Sequence, residues 1–152
     1  MFVRLAKATD KSPVLNLLNE LEKEIRIKER PSSEKISVRK VGNKIYDEII
    51  KRKDSMFFLA LDKNKIHGAV LFYLVPSIRH GRFDGYIGEF VVTEKMRGKG
   101  LGSILLDAIK KYCKKTGIKV IKLESGNPLL KAHRFYEKNG AVSRGKVFRF
   151  DL

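Results

Sequence analysis

The chain lacks the features that define several broad protein classes. It holds a single cysteine, Cys113, so neither an internal disulfide framework nor a cysteine-based zinc site is open to it. Its longest apolar run, Ala69 to Pro76, is far shorter than a bilayer crossing requires. Met1-Phe2-Val3-Arg4 begins an alternating strand and carries no extended apolar stretch of the signal-peptide kind. No basic tract studded with aromatics appears, although 33 basic residues against 17 acidic ones leave a formal charge of +16. Lys and Arg are spread through nearly every segment, which reads as a solvated surface with a general attraction to polyanions rather than a nucleic-acid groove. These absences describe a soluble, cytoplasmic protein with no membrane partner and no nucleic acid as specific ligand; a homodimer is compatible with them.

What is present suffices for one core. At 152 residues with 43% hydrophobic side chains, the chain reads as a single domain, 1–152, with two layers of structure. Phe2 to Ala6 is a short strand, and Ser12 with Pro13 reads as the start of a helix whose apolar face is Val14, Leu17, Leu18, Leu21 and Ile25. Glu20, Glu22 and Glu24 lie mostly off that face; a pocket lining for a cationic substrate is one reading of them, and solvated partners of Lys23, Arg26 and Lys28 is the favoured one. A second helix runs from about Gly42 to Arg52. Met56 to Leu61 and Ile66 to Leu74 form a hairpin, Pro76 to Asp84 a longer loop carrying Arg79, His80 and Arg82, and Tyr86 to Val92 the next strand. Gly88 inside that strand signals a bulge or a close backbone approach.

A helix with the face Leu101, Ile104, Leu105, Ala108, Ile109 and Tyr112 follows, closed by Gly117, and then the strand Ile118 to Leu123. Cys113 on this helix reads as a buried, inert thiol. Strand, turn, helix and strand make a βαβ unit, so its two strands should be parallel with a right-handed crossover. Asn127-Pro128 opens a last helix closed by Gly140, and the tail around Arg144-Gly145 reads as a terminal hairpin. The order βααβββαβαββ is an α/β fold, a mixed sheet flanked by helices.

The turn entering the third helix is Arg97-Gly98-Lys99-Gly100-Leu101-Gly102. Its glycines let several N–H groups converge at a helix N-terminus, where partial positive charge favours an anion. The spacing fits neither a dinucleotide fingerprint, whose third glycine would fall on Leu105, nor a mononucleotide P-loop, which needs Lys-Ser or Lys-Thr. It resembles instead the R/Q-x-x-G-x-G/A signature of the GNAT superfamily of acetyl-CoA-dependent N-acetyltransferases, matched by Arg97, Gly100 and Gly102. A second stretch is similar to the GNAT signature N-x-x-x-x-A-x-x-F-Y-x-x-x-G-F, matched by Asn127, Ala132, Phe135, Tyr136 and Gly140, with Ala141 in place of the last Phe.

The resemblance implies a fold whose central strand and the strand after the third helix splay apart at one end to admit the pantetheine arm of acetyl-CoA. Main-chain groups of Phe90, Val91 and Val92 would pair with the arm. Arg97, Gly98, Lys99, Gly100, Leu101, Gly102 and Ser103 would hold the pyrophosphate, and Asn127 would touch the arm from the far side. The activity implied is transfer of acetyl to a primary amine, of a small molecule or a peptide, by direct attack in a ternary complex. The thioester oxygen would take N–H bonds from the strand around Val91, and Tyr136 would give the departing thiolate its proton. Many relatives carry a basic glutamate nine residues before the signature arginine, where this chain has Gly88. Glu89 is one place off, which on a regular strand is the opposite face, unless a bulge restores it. Asp84, His80 and a water relay are alternative bases, and a non-catalytic CoA-binding module is the alternative function.

Overall fold

The computed structural model describes residues 1–152. Five strands form one sheet in the order β1-β2-β3-β4-β5: β1 Phe2–Leu5, β2 Ser55–Asp62, β3 Lys65–Ser77, β4 Arg82–Val92 and β5 Ile121–Leu123. Four helices accompany it: α1 Lys11–Glu29, α2 Val38–Lys51, α3 Leu101–Thr116 and α4 Leu130–Lys138. The first four strands pair antiparallel, and β4 pairs parallel with β5, as the βαβ reading requires. The mixed α/β architecture is the expected one. No helix is long and apolar enough to cross a membrane.

Alternation along the strands divides the core between two faces. On one, Phe57, Leu59, Leu71 and Val91 pack with Val14, Leu17, Tyr46 and Ile49 of α1 and α2. On the other, Phe58, Phe72 and Ile87 pack with Leu101, Leu105, Ile109 and Cys113 of α3. Burial raises the Cys113 thiol to about 11, so it stays protonated and unreactive near neutrality. β2 and β3 join through Lys63 and Asn64, both at positive φ, a tight turn that matches the strand twist.

Several boundaries differ from the sequence reading. α1 starts at Lys11, ahead of Ser12 and Pro13, because the Asp10 carboxylate takes two bonds from Arg4 and one from the Lys7 N–H, fixing the chain just before the helix. α2 begins at Val38, and Gly42 lies inside it where a Cβ would stand 3.1 Å from Leu15. The expected loop from Pro76 to Asp84 is mostly strand: β3 and β4 extend as a long hairpin whose tip is Ile78 to Gly81. α4 begins at Leu130, so Asn127 does not cap it.

The terminal hairpin does not form. After Gly140 the tail is irregular, with Val147, Phe148 and Phe150 exposed. β5 offers an edge of only three residues, and a two-stranded hairpin with nothing more to pair on is marginal in water.

Candidate active site

The site begins where β4 and β5 part. Gly85, Tyr86 and Ile87 pair with Ile121, Lys122 and Leu123, and there β5 ends while β4 runs on to Val92. At the same level the β3 pairing slips: Leu71 faces Glu89 and Phe72 faces Ile87, which leaves Gly88 as the extra residue of a bulge. A Cβ on Gly88 would lie 2.6 Å from the Tyr73 ring, so any side chain here would require that ring to shift. Ile87 faces α3, whereas Val91 faces α1. The bulge therefore turns Glu89, two places before Val91, onto the α1 face, the face towards which Gly88 also points. On an unbroken strand Glu89 would have shared the face of Ile87.

Above the bulge one side of β4 is unpaired. Thr93 donates its N–H to the His67 carbonyl at 2.8 Å, so by strand alternation the main-chain groups of Val92 and Phe90 turn towards the gap. Those of Val91 turn to its β3 partner Ala69. Of the three residues assigned to the cofactor arm, two face the gap and the third does not. The expected N–H donor at Val91 is thus already engaged in the sheet.

The glycine turn follows directly. Gly98 and Gly100 take φ of 74° and 82°, a left-handed conformation that side chains disfavour. The chain then enters α3 with the N–H groups of Gly98, Lys99, Gly100, Leu101, Gly102 and Ser103 donating to no group of the protein. Six adjacent donors at a helix N-terminus are the equipment of an anion site. Arg97 is placed otherwise. Its N–H donates to the Glu94 carbonyl at 3.1 Å, its Nε to the Val92 carbonyl at 2.9 Å, and its Nη2 to Glu24 at 2.7 Å.

α4 closes the gap from the far side. Phe135 packs over Gly102, and Phe90, Phe135 and Tyr136 form an edge-to-face trio with centroids 5.3 to 6.1 Å apart. Burial raises the Tyr136 phenol to about 12, so it holds its proton and can donate it. Asn127 is exposed in the turn before α4.

Burial, and then the nearby Glu22 carboxylate, push the Glu89 carboxyl above its ordinary range. Glu22 lies on α1, bonded to Arg30 at 3.1 to 3.2 Å. Tyr73 is likewise raised, first by burial and then by Glu89. Asp84 is unsuited to be a base: Lys122 and Arg82 bond its two oxygens at 2.9 and 3.0 Å and hold its carboxyl low. His80 sits at the hairpin tip with Ser77, 2.9 Å away. Sequence reasoning missed Tyr73 and favoured solvated roles for Glu22 and Glu24; Glu24 does pair with Lys28, and the packing of α1 against the sheet brings both glutamates to the site as well.

The Acetyltransferase (GNAT) family model matches residues 16–141. An uncharacterised N-acetyltransferase of Bacillus subtilis, YhdJ, is 32% identical over 99 residues, 64% of this chain and 70% of that protein. An aminoalkylphosphonate N-acetyltransferase of Salmonella typhimurium is 30% identical over 82 residues, 54% of this chain and 53% of its own length. Among solved structures, a tetramutant of the BH1408 protein of Bacillus halodurans shares the fold, with a TM-score of 0.86, 24% identity and 100% coverage of both chains. The family match takes in the bulge, the glycine turn and Tyr136, the same stretch in which the geometry gathers unpaired donors, a half-buried acid and a half-buried phenol, and by it the chain belongs to the GNAT family of acetyltransferases.

Proposed function

We propose that the protein transfers the acetyl group of acetyl-CoA to a primary amine by direct attack, with Glu89 as base and Tyr136 as acid. The observation that carries this reading is the bulge at Gly88, which turns Glu89 onto the α1 face at the level where β4 and β5 separate. The family uses acetyl-CoA as donor, and the residues present suit it: unpaired N–H groups from Gly98 to Ser103 for the diphosphate, and the gap-facing main chain of Phe90 and Val92 for the arm. The ground for a non-catalytic module was the missing glutamate at position 88, and Glu89 makes good that loss.

An alkyl ammonium of pKa near ~10.4 is neutral in about one molecule in a few thousand at pH 7, so attack needs proton removal. Glu89, poised upward by burial, accepts that proton directly or through one water. An N–H of the gap-facing strand, at Phe90 or Val92, holds the thioester oxygen as it gathers charge. Tyr136 protonates the departing sulfur.

For the acceptor we favour an amine that also bears an acidic group. A cavity of about 100 Å³ beside β4 is lined by Ser77, Asp84, Tyr86 and Lys122, and Asp84 there is shared between Lys122 and Arg82, two cations to one carboxylate. By strand alternation Asp84 and Tyr86 share the face of Glu89. The aminoalkylphosphonate-acetylating relative fits the same chemistry. A panel of amines with acetyl-CoA, followed by thiol release, tests both levels. Turnover of amino acids, aminophosphonates or peptide amines ahead of polyamines is the expected order. Polyamines turned over best would reverse the acceptor class, and no turnover with any amine would remove the activity.

A further inference from the structure

We propose that Glu24 is a positioning residue that holds the Arg97 guanidinium away from the glycine turn, and that cofactor binding moves this guanidinium from Glu24 onto the diphosphate. The inference rests on the acetyl-CoA reading above and adds a residue of α1 to it.

Arg97 belongs to the turn, yet its main-chain N–H is already bonded to Glu94. Whatever it contributes to an anion must come from its side chain. That side chain is held on two acceptors, the Val92 carbonyl at 2.9 Å and Glu24 Oε2 at 2.7 Å. The Val92 carbonyl is one of the groups that face the gap, so the present arrangement lays the guanidinium across the path of the cofactor arm.

The exchange is balanced in a way that favours the phosphate. Glu24 has a second cation, Lys28, at 2.7 Å through its other oxygen, so losing Arg97 does not strand its charge. The Arg97–Glu24 pair is well exposed, at 43% and 30%, and such a pair is weak. A guanidinium on phosphate oxygens makes paired, charge-assisted bonds to a more highly charged partner.

Calorimetric titration with CoA tests this on the intact protein. Glu24→Gln removes the charge that holds Arg97 and leaves it on the Val92 carbonyl alone, and should bind CoA about two- to fivefold more tightly than the wild type, the factor an exposed ion pair is worth. Glu24→Asp keeps the charge but shortens the reach, and should tighten binding as well, which separates the bond from a general loss of negative charge. In an Arg97→Met background neither change should alter the affinity. Unchanged or weaker binding in both Glu24 variants of the wild type, or equal tightening with and without Arg97, overturns the proposal. A wild-type protein that binds no CoA instead refutes the acetyl-CoA reading.

Discussion

The two halves of the site are built from different materials. The glycine turn and the start of α3 present main-chain N–H groups, six of them free from Gly98 to Ser103, to the cofactor in the proposed reading, and their positions follow from local conformation. On the proposed acceptor side the groups are side chains, Glu89, Glu22 and Tyr73, brought together by a one-residue bulge and a helix packed across the sheet. The first half tolerates change wherever the backbone keeps its shape. The second depends on particular charges in a partly dry setting, so small chemical changes there should alter rate while leaving cofactor affinity alone.

The sharpest test of that division is Glu89→Gln, which keeps the shape and removes the base. Turnover should fall by roughly 10²- to 10⁴-fold, the usual contribution of a general base, while CoA binding measured by calorimetry stays as in the wild type. A loss of CoA binding instead would merge the two halves into one. Tyr136→Phe should have a smaller effect, about ten- to hundredfold on kcat, because an alkyl thiol has a pKa near ~8.5 and water can protonate its thiolate without great penalty. Equal rates for Tyr136→Phe and wild type would leave the tyrosine as packing for Phe90 and Phe135.

The turn should respond the other way. Gly100 sits at φ 82°, with nothing within 4 Å of the place a Cβ would occupy. Gly100→Ala therefore meets no clash, only the left-handed strain of about 1–2 kcal/mol. If the turn relaxes out of that conformation, CoA binding weakens by about five- to thirtyfold while kcat at saturating cofactor holds. A fall in kcat with unchanged affinity would contradict the assignment of the two halves.

The same contrast explains how much of the molecule was legible in the sequence. Glycine spacing, most of the apolar face of α3 and the Phe135-Tyr136 pair are local patterns that lie where their spacing put them; on α3, Ile104 is exposed and Leu106 is buried instead. The bulge was half legible: Gly88 announced a disturbance, but only the pairing of Leu71 with Glu89 and Phe72 with Ile87 fixes its sense. Glu24 keeps its expected partner Lys28, but its bond to Arg97 and the approach of Glu22 to Glu89 were not legible, because nothing within α1 distinguishes a solvated glutamate from one that packs towards β4 or Arg97. Asp84 looked like a candidate base until Lys122 came next to it from a strand 38 positions away. The tail around Gly145 carried a hairpin's residues without enough edge on β5 to pair them.

The finest test concerns the neighbour of the base. Burial comes first and the Glu22 charge second among the causes that lift Glu89 above the ordinary value of 4.5. A base must be ionised to act, so a raised pKa means that activity is lost at a higher pH than an ordinary glutamate would allow as the solution is acidified. Glu22→Gln removes the second cause and leaves the first. The acid limb of the kcat/KM profile should move to lower pH and stop short of the ordinary value because burial persists. On the acid side of the wild-type limb the variant should be the faster enzyme, with equal rates on the plateau. A limb that stays in place means that Glu22 is silent in the titration, and one that moves upward means that Glu89 is not the group being read.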